Sequence, residues 1–281
     1  MEKLIKAIET LEEQIEALVE DSQTSVDIDE SQLTDLSANL ATLKRARHIL
    51  ARSSKSKNSF ITYKIASDID GKLWAGAKTA CNFWNRFISP RTPVVIRLGT
   101  FHSSSNTIAR AYYAYSNNGV EYGRVEFNIP FLKDYSHLEI AGTIVHEIGH
   151  TLGIGWDVWN KMYSRKNGKF YADAIEQIPA LKKMTVELEG LAGTIYSHWD
   201  EAEFGSELMT GYKNDSEYVL PVTIDVMEIF GHEVIEKLKR KSNLDTLLKN
   251  AEQMVFSRTS EAETIDRDYF EETPIFEELP H

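Results

Sequence analysis

Residues 136–153 read Ser-His-Leu-Glu-Ile-Ala-Gly-Thr-Ile-Val-His-Glu-Ile-Gly-His-Thr-Leu-Gly, and no other stretch restricts the chain as tightly. Both ends of a helix are written into it. Ser136 followed three residues later by Glu139 makes a capping box; Ile140, Ile144, Val145 and Ile148 form an apolar stripe; Gly153 supplies the stop. The pattern predicts a helix over about 137–152. On such a helix His146 and His150, four residues apart, project from one face and can close on a single metal ion. Glu147 is offset by one position, within reach of a water at that ion without being a ligand.

The chain around this helix has 281 residues, 42% of them hydrophobic, enough for one large domain or a domain with an appendage. A formal net charge of -12 argues against nucleic acid or an anionic membrane as the main partner, because both select a basic face. No apolar run reaches the length of a membrane span. The first residues, Met1-Glu2-Lys3-Leu4-Ile5-Lys6, lack the uninterrupted apolar core of a secretory signal, so the expectation is a cytoplasmic protein or one exported by a non-Sec route. Cys81, the single cysteine, excludes an internal disulfide framework.

Taken in order, Leu4, Ile8, Leu11, Ile15 and Leu18 alternate at steps of four and three, and Leu33, Leu36, Leu40, Leu43 and Leu50 repeat the spacing after an acidic linker. A helical hairpin over 1–58 is predicted, bounded by the basic, serine-rich stretch Arg52–Ser59. Between Asp68 and Ser89 the residues Trp74, Ala77, Cys81, Trp84 and Ile88 share one helical stripe, which makes Cys81 a core residue. Val94–Leu98 reads as a central strand and Ala109–Ser116 as a second one, ending at the Asn117-Asn118-Gly119 turn. From Val120 to Ile129 the alternation slips phase at Gly123, as a glycine bulge in an edge strand would make it do. Further on, a helix interrupted by Pro179 is expected in 171–184, one capped by Thr223 in 224–230 and a helical stretch in 233–256, with His232 as a surface residue. The acidic tail 257–281 is expected to be mobile. The whole predicts an α+β chain with a main domain over 59–256, divided near residue 153.

A catalytic zinc site has three protein ligands and one open position, so the histidine pair needs a third group. Six residues after His150, where a compact site would place a histidine, stands Trp156, whose indole has no acceptor. Asp157, Glu187, Glu189 and His198 remain as candidates.

The segment Glu189-Gly190-Leu191-Ala192-Gly193-Thr194-Ile195-Tyr196-Ser197-His198-Trp199-Asp200-Glu201, followed by Phe204-Gly205-Ser206-Glu207-Leu208-Met209-Thr210-Gly211-Tyr212, resembles the leishmanolysin family of metzincin peptidases. The resemblance extends over about 68–231. It implies a zincin-like domain with a small twisted mixed sheet above an active-site helix, and one catalytic Zn2+ held by His146, His150 and His198. It further implies Glu147 as general base and Met209 in a methionine turn beneath the metal. Tyr212, three residues after Met209, is the candidate for stabilising the transition state. The expected activity is zinc-dependent endopeptidase hydrolysis of a protein or peptide bound along an edge strand at about 123–129. Residues 1–52 would then serve as an autoinhibitory prosegment or in self-association. The competing expectations are a zinc peptidase of another clan, with Asp157, Glu187 or Glu189 as third ligand, and a non-catalytic zincin scaffold that binds partners.

Overall fold

The computed structural model describes residues 60–254 throughout, the backbone of 276–280, and positions 8, 10–12, 14, 15, 39 and 40 near the amino terminus. The chain divides into two compact units, Met1–Ser59 and Phe60–His281. Most of the predicted hairpin lies outside the described residues. Its described positions are helical, but Leu11, placed on the seam, is 48% exposed while Glu12 is buried.

The second unit is a mixed α+β assembly. Its elements are β1 (Ile61–Ile65), α1 (Lys72–Phe87), β2 (Ile88–Ser89), β3 (Val94–Phe101), β4 (Ala109–Ala111), β5 (Tyr115–Asn117), β6 (Val120–Asn128), α2 (Ile129–Asp134) and α3 (His137–Leu152). Then follow α4 (Asp157–Asn160), α5 (Ala172–Gln177), a 3-10 turn (Pro179–Lys183), α6 (Glu201–Phe204), β7 (Tyr212–Lys213), β8 (Tyr218–Val219) and α7 (Pro221–Asp225). A second 3-10 turn (Val226–Glu228), β9 (Glu233–Val234), β10 (Ser242–Asn243), α8 (Leu244–Glu252) and β11 (Phe276–Pro280) complete the order. The main sheet runs β1-β3-β6-β4-β11-β7, with β5 also on β6. β1, β3 and β6 run parallel with β1 at one end of the order, β4 is antiparallel to β6, and β11 is antiparallel to β4 and parallel to β7.

Two helices cover one face of this sheet. From α1 come Leu73, Ala77, Cys81 and Trp84, and from α3 Ile140, Ile144, Val145 and Ile148, all buried with Ile96, Leu98, Val125 and Phe127 of the strands. Burial pushes the Cys81 thiol far up, as befits a core residue. Trp84 adds a directed contact, its indole donating to the carbonyl of Val145 at 2.9 Å. Trp74, expected on the buried stripe, is 47% exposed, because the stripe that packs on α3 passes through Leu73 and Ala77 instead.

Several expectations are corrected by this topology. Residues 123–129 are not a sheet edge: β6 is paired on both sides, since the chain turns back after β3 and lays β4 and β5 along its other flank. Nor is there a bulge at Gly123, whose strand keeps regular register with β3. Ala111 pairs with Val125 and Tyr115 with Tyr122, so three residues, 112–114, stand opposite two, 123–124. The extra residue lies on the partner strand and splits the predicted 109–116 strand in two. Gly123 is a glycine for another reason: a Cβ there would sit 2.5 Å from both Cγ2 and Oγ1 of Thr151 on α3.

The Asn-Gly turn is as expected, with Asn117 paired to Val120 and left-handed Asn118 and Gly119 between them, at φ 50° and 74°. Thr223 is not a cap. Leu220 precedes the helix, which opens on Pro221, and the Thr223 hydroxyl is buried. Among the described residues of 233–256, two short strands precede the helix α8. His232 is buried, bonding the Leu152 carbonyl at 2.7 Å, and burial lowers its basicity. The tail expected to be mobile ends in β11, a strand of the main sheet.

The tight seat of Gly123 is testable. Gly123→Ala should cost about 1–3 kcal/mol through overpacking against a β-branched side chain on a helix, read from urea unfolding. Adding Thr151→Ala should recover most of that loss; a double variant as unstable as the single one would place the cost elsewhere.

Candidate metal centre

The helix that carries the motif is built as its ends dictate. The Ser136 amide donates to Glu139 Oε2 at 2.7 Å and the Glu139 amide to Ser136 Oγ at 3.4 Å, completing the capping box. At the other end Gly153 adopts φ 136° and Gly155 φ 89°, so the chain doubles back and presents the Ile154 carbonyl to the last turn of the helix. His146, Glu147 and His150 are all fully or almost fully buried.

His198 arrives from a loop, yet its position is defined by the backbone on both sides. Its carbonyl accepts from the Glu187 amide at 2.9 Å, and the next amide, Trp199, donates to the Met209 carbonyl at 2.9 Å. The result is a cluster in which Nε2 of His150 lies 3.1 Å from Nε2 of His146 and of His198, and the latter two are 3.2 Å apart.

These contacts are not hydrogen bonds. Each ring faces a backbone carbonyl with its other nitrogen: His146 Nδ1 with Leu208 at 2.7 Å, His150 Nδ1 with Ile154 at 3.1 Å and His198 Nδ1 with Thr194 at 2.7 Å. A carbonyl can only accept, so Nδ1 carries the proton and Nε2 carries a lone pair in all three. Burial reinforces this, lowering His146 to about 4, His198 to about 3 and His150 well below its ordinary value. Three neutral imidazoles therefore aim three lone pairs at one point, an arrangement that repels itself unless a cation sits there. Nitrogens 2.0–2.1 Å from a tetrahedral ion would be about 3.3 Å apart, close to the spacing found. The three rings are near enough to hold a metal ion and form the single such group among the described residues.

The segment around Met209 packs against the cluster. The Leu208 carbonyl that orients His146 immediately precedes Met209, which is fully buried. Met209 Sδ would be 2.7 Å from a Cβ on Gly149, so the glycine between the two helical histidines is what admits the methionine. Gly211 in turn packs against Thr194, whose carbonyl orients His198, with 2.9 Å between a Cβ built there and the threonine side chain.

Glu207 holds the turn itself, and the sequence reading passed it over. Its carboxyl accepts from the Met209 amide at 2.7 Å, the Leu220 amide at 3.0 Å and the Thr223 hydroxyl at 2.6 Å. Burial pushes it up to about 7 against those three bonds. The available clue was a carboxylate two residues before the turn methionine in an apolar setting.

The other candidates are apart from the cluster. Asp157 and Glu189 are exposed, and Glu187 is engaged with the amides of Glu189 and Glu201. The Trp156 indole donates to the His150 carbonyl, so the residue six positions after His150 steadies the backbone of that histidine. Tyr212 lies half-buried in β7, with its hydroxyl 4.0 Å from where a Cβ on Gly190 would be. Comparison with known protein families, curated proteins and solved structures finds no match to the chain.

A zinc titration by calorimetry should find that His198→Ala loses most of the affinity and Asp157→Ala almost none; the reverse would return the site to the short-spaced alternative. The sign of the acid response also follows. The metal-free fold keeps these rings neutral while the unfolded chain protonates them near 6.5, so stability is full above that pH. Below it, stability should fall by about 1.4 kcal/mol per pH unit for His146 and for His198, down to their folded-state values of about 4 and about 3, and His150, also lowered, acts in the same direction. Urea unfolding of metal-free protein between pH 8 and 4 measures this, and a flat profile would mean the rings are charged in the fold.

Proposed function

We propose that the chain is a zinc-dependent endopeptidase with a zincin-like arrangement of the metzincin type. The observation that carries this reading is the convergence of three neutral imidazoles beside Glu147, the residue next to the first ligand on the same buried helix. His146, His150 and His198 would hold the ion. Zinc bound there supplies Lewis-acid polarisation of a scissile carbonyl and acidification of a water molecule.

The remaining steps belong to the chain's own groups. Glu147 takes a proton from the attacking water and hands it to the leaving amine nitrogen, so hydrolysis needs no covalent intermediate. Buried imidazoles that stay neutral leave the full positive charge of the ion to act on substrate. The three Nδ1–carbonyl contacts fix each ring's tautomer and orientation.

Substrate binding moves from 123–129 to β4. That strand is antiparallel to β6, and its other edge, paired with β11, is the one that an extended peptide would take through main-chain hydrogen bonds in place of β11. It is firmly anchored: Arg110 donates from Nε and Nη2 to Glu126 Oε2 on β6 at 2.9 and 2.7 Å, and the Tyr112 hydroxyl reaches the same oxygen at 2.6 Å. The family resemblance supports the same reading through Met209 and the distant third histidine, and leaves Tyr212 as the candidate transition-state donor.

Glu147→Gln should bind zinc within a few-fold of the unaltered chain and lose roughly 10²–10⁴-fold in hydrolysis of an unfolded protein substrate. Paired assays with and without a chelator complete the test. Full turnover by that variant would remove Glu147 from the mechanism, and turnover insensitive to chelation would remove the metal.

A further inference from the structure

The strand that an extended substrate would pair with is already paired. Residues 276–280 run antiparallel to β4, with Phe276 opposite Ala111, Glu277 opposite Arg110 and Glu278 opposite Ala109. The next two residues are parallel to β7, with Leu279 opposite Tyr212 and Pro280 opposite Lys213. Strand β7 begins three residues after Met209, and β11 also approaches α3, the helix of His146 and His150. The C-terminal strand is thus seated between the strand beside the proposed cleft and the segment that leaves the methionine turn.

We infer that the channel between β4 and β7 is the peptide-binding channel of this protein and that the chain's own residues 276–280 fill it in cis, as an autoinhibitory substrate mimic. The inference rests on the peptidase reading for the word autoinhibitory, and on strand pairing for the rest. A strand edge has one row of donors and acceptors, so a peptide that adds to β4 must first displace β11. The resident also ends in Leu279-Pro280, and proline brings no amide N–H and a fixed φ. Carried on the same chain, this strand competes at a far higher effective concentration than a free peptide.

The test compares the full chain with one ending at Ile275, and with full-length Glu278→Pro, which breaks the strand without shortening the protein should truncation impair folding. Both variants should cleave an unfolded protein at least about 10-fold faster in kcat/KM. A synthetic peptide of residues 275–281 added in trans should restore inhibition by raising KM at constant kcat. Hydrogen exchange at 109–111 and 212–213 should speed up in both variants and slow again with the peptide. Equal rates together with unchanged exchange would overturn the inference, as would release of the C-terminal peptide as a cleavage product. If no form hydrolyses anything, saturable binding of the fluorescent peptide to the shortened chain keeps the channel assignment and removes the peptidase reading instead. Absence of both binding and exchange changes removes the channel assignment.

Discussion

Three lone pairs pointed at a common centre are the constraint from which the rest of the site follows. Uncharged imidazoles with their Nε2 atoms 3.1–3.2 Å apart repel, and nothing in the three rings relieves that repulsion. The surrounding chain therefore has to hold them, and it does so at the opposite nitrogen of each ring, through carbonyls of Leu208, Ile154 and Thr194. Backbone carbonyls suit this purpose. Unlike a carboxylate they bring no net charge that would draw a second proton onto the ring, so each histidine stays neutral and open to a cation.

Two of those carbonyls depend on the same turn. Leu208 belongs to it directly, and Thr194 is packed against its Gly211. The turn is held by Glu207, a fully buried carboxyl that gathers two amides and a hydroxyl. The Thr223 hydroxyl that donates to it accepts in turn from the Trp199 indole at 3.0 Å, and Trp199 adjoins His198. Force applied at His198 is thus carried through one indole, one hydroxyl and one carboxyl to the turn that orients His146. Such a closed polar circuit is stable when complete and costly when any member is lost.

Legibility in the sequence followed the range of the interactions. The α3 helix was legible to its last residue because capping box, apolar stripe and terminal glycine are all local, and the Asn118-Gly119 turn likewise. Histidines four apart on a helix announce a site by geometry alone. What the sequence hid was pairing between distant strands. Residues 123–129 alternate much like an edge strand, and only the return of β4 and β5 makes β6 interior. The phase slip at Gly123 was real but belonged to the partner strand, because a bulge is a property of two strands and leaves its mark on either. His232 and Glu207 escaped for a related reason: each is bonded to groups that the fold, and not the neighbouring sequence, brings to it.

His150 and His198 are 48 residues apart, a long stretch over which to build a rigid site. Loop closure entropy, however, rises only with the logarithm of length, by about 0.6 kcal/mol for each doubling, so length itself is a weak penalty. The real requirement is that the intervening chain be tied down near its ends, and aromatic packing does this. Trp159 stands edge-on to Trp199 at 4.8 Å between centroids, with Phe170 against both, so the start and the end of the insertion share one aromatic cluster. The Tyr196 carbonyl, two residues before His198, accepts both the Trp159 indole and the Tyr163 hydroxyl at 2.9 Å. That pair of hydrogen bonds to one carbonyl goes with a left-handed Tyr196, φ 67°, a conformation that needs support from outside the residue. The segment between His150 and His198 is therefore a folded bracket that positions His198.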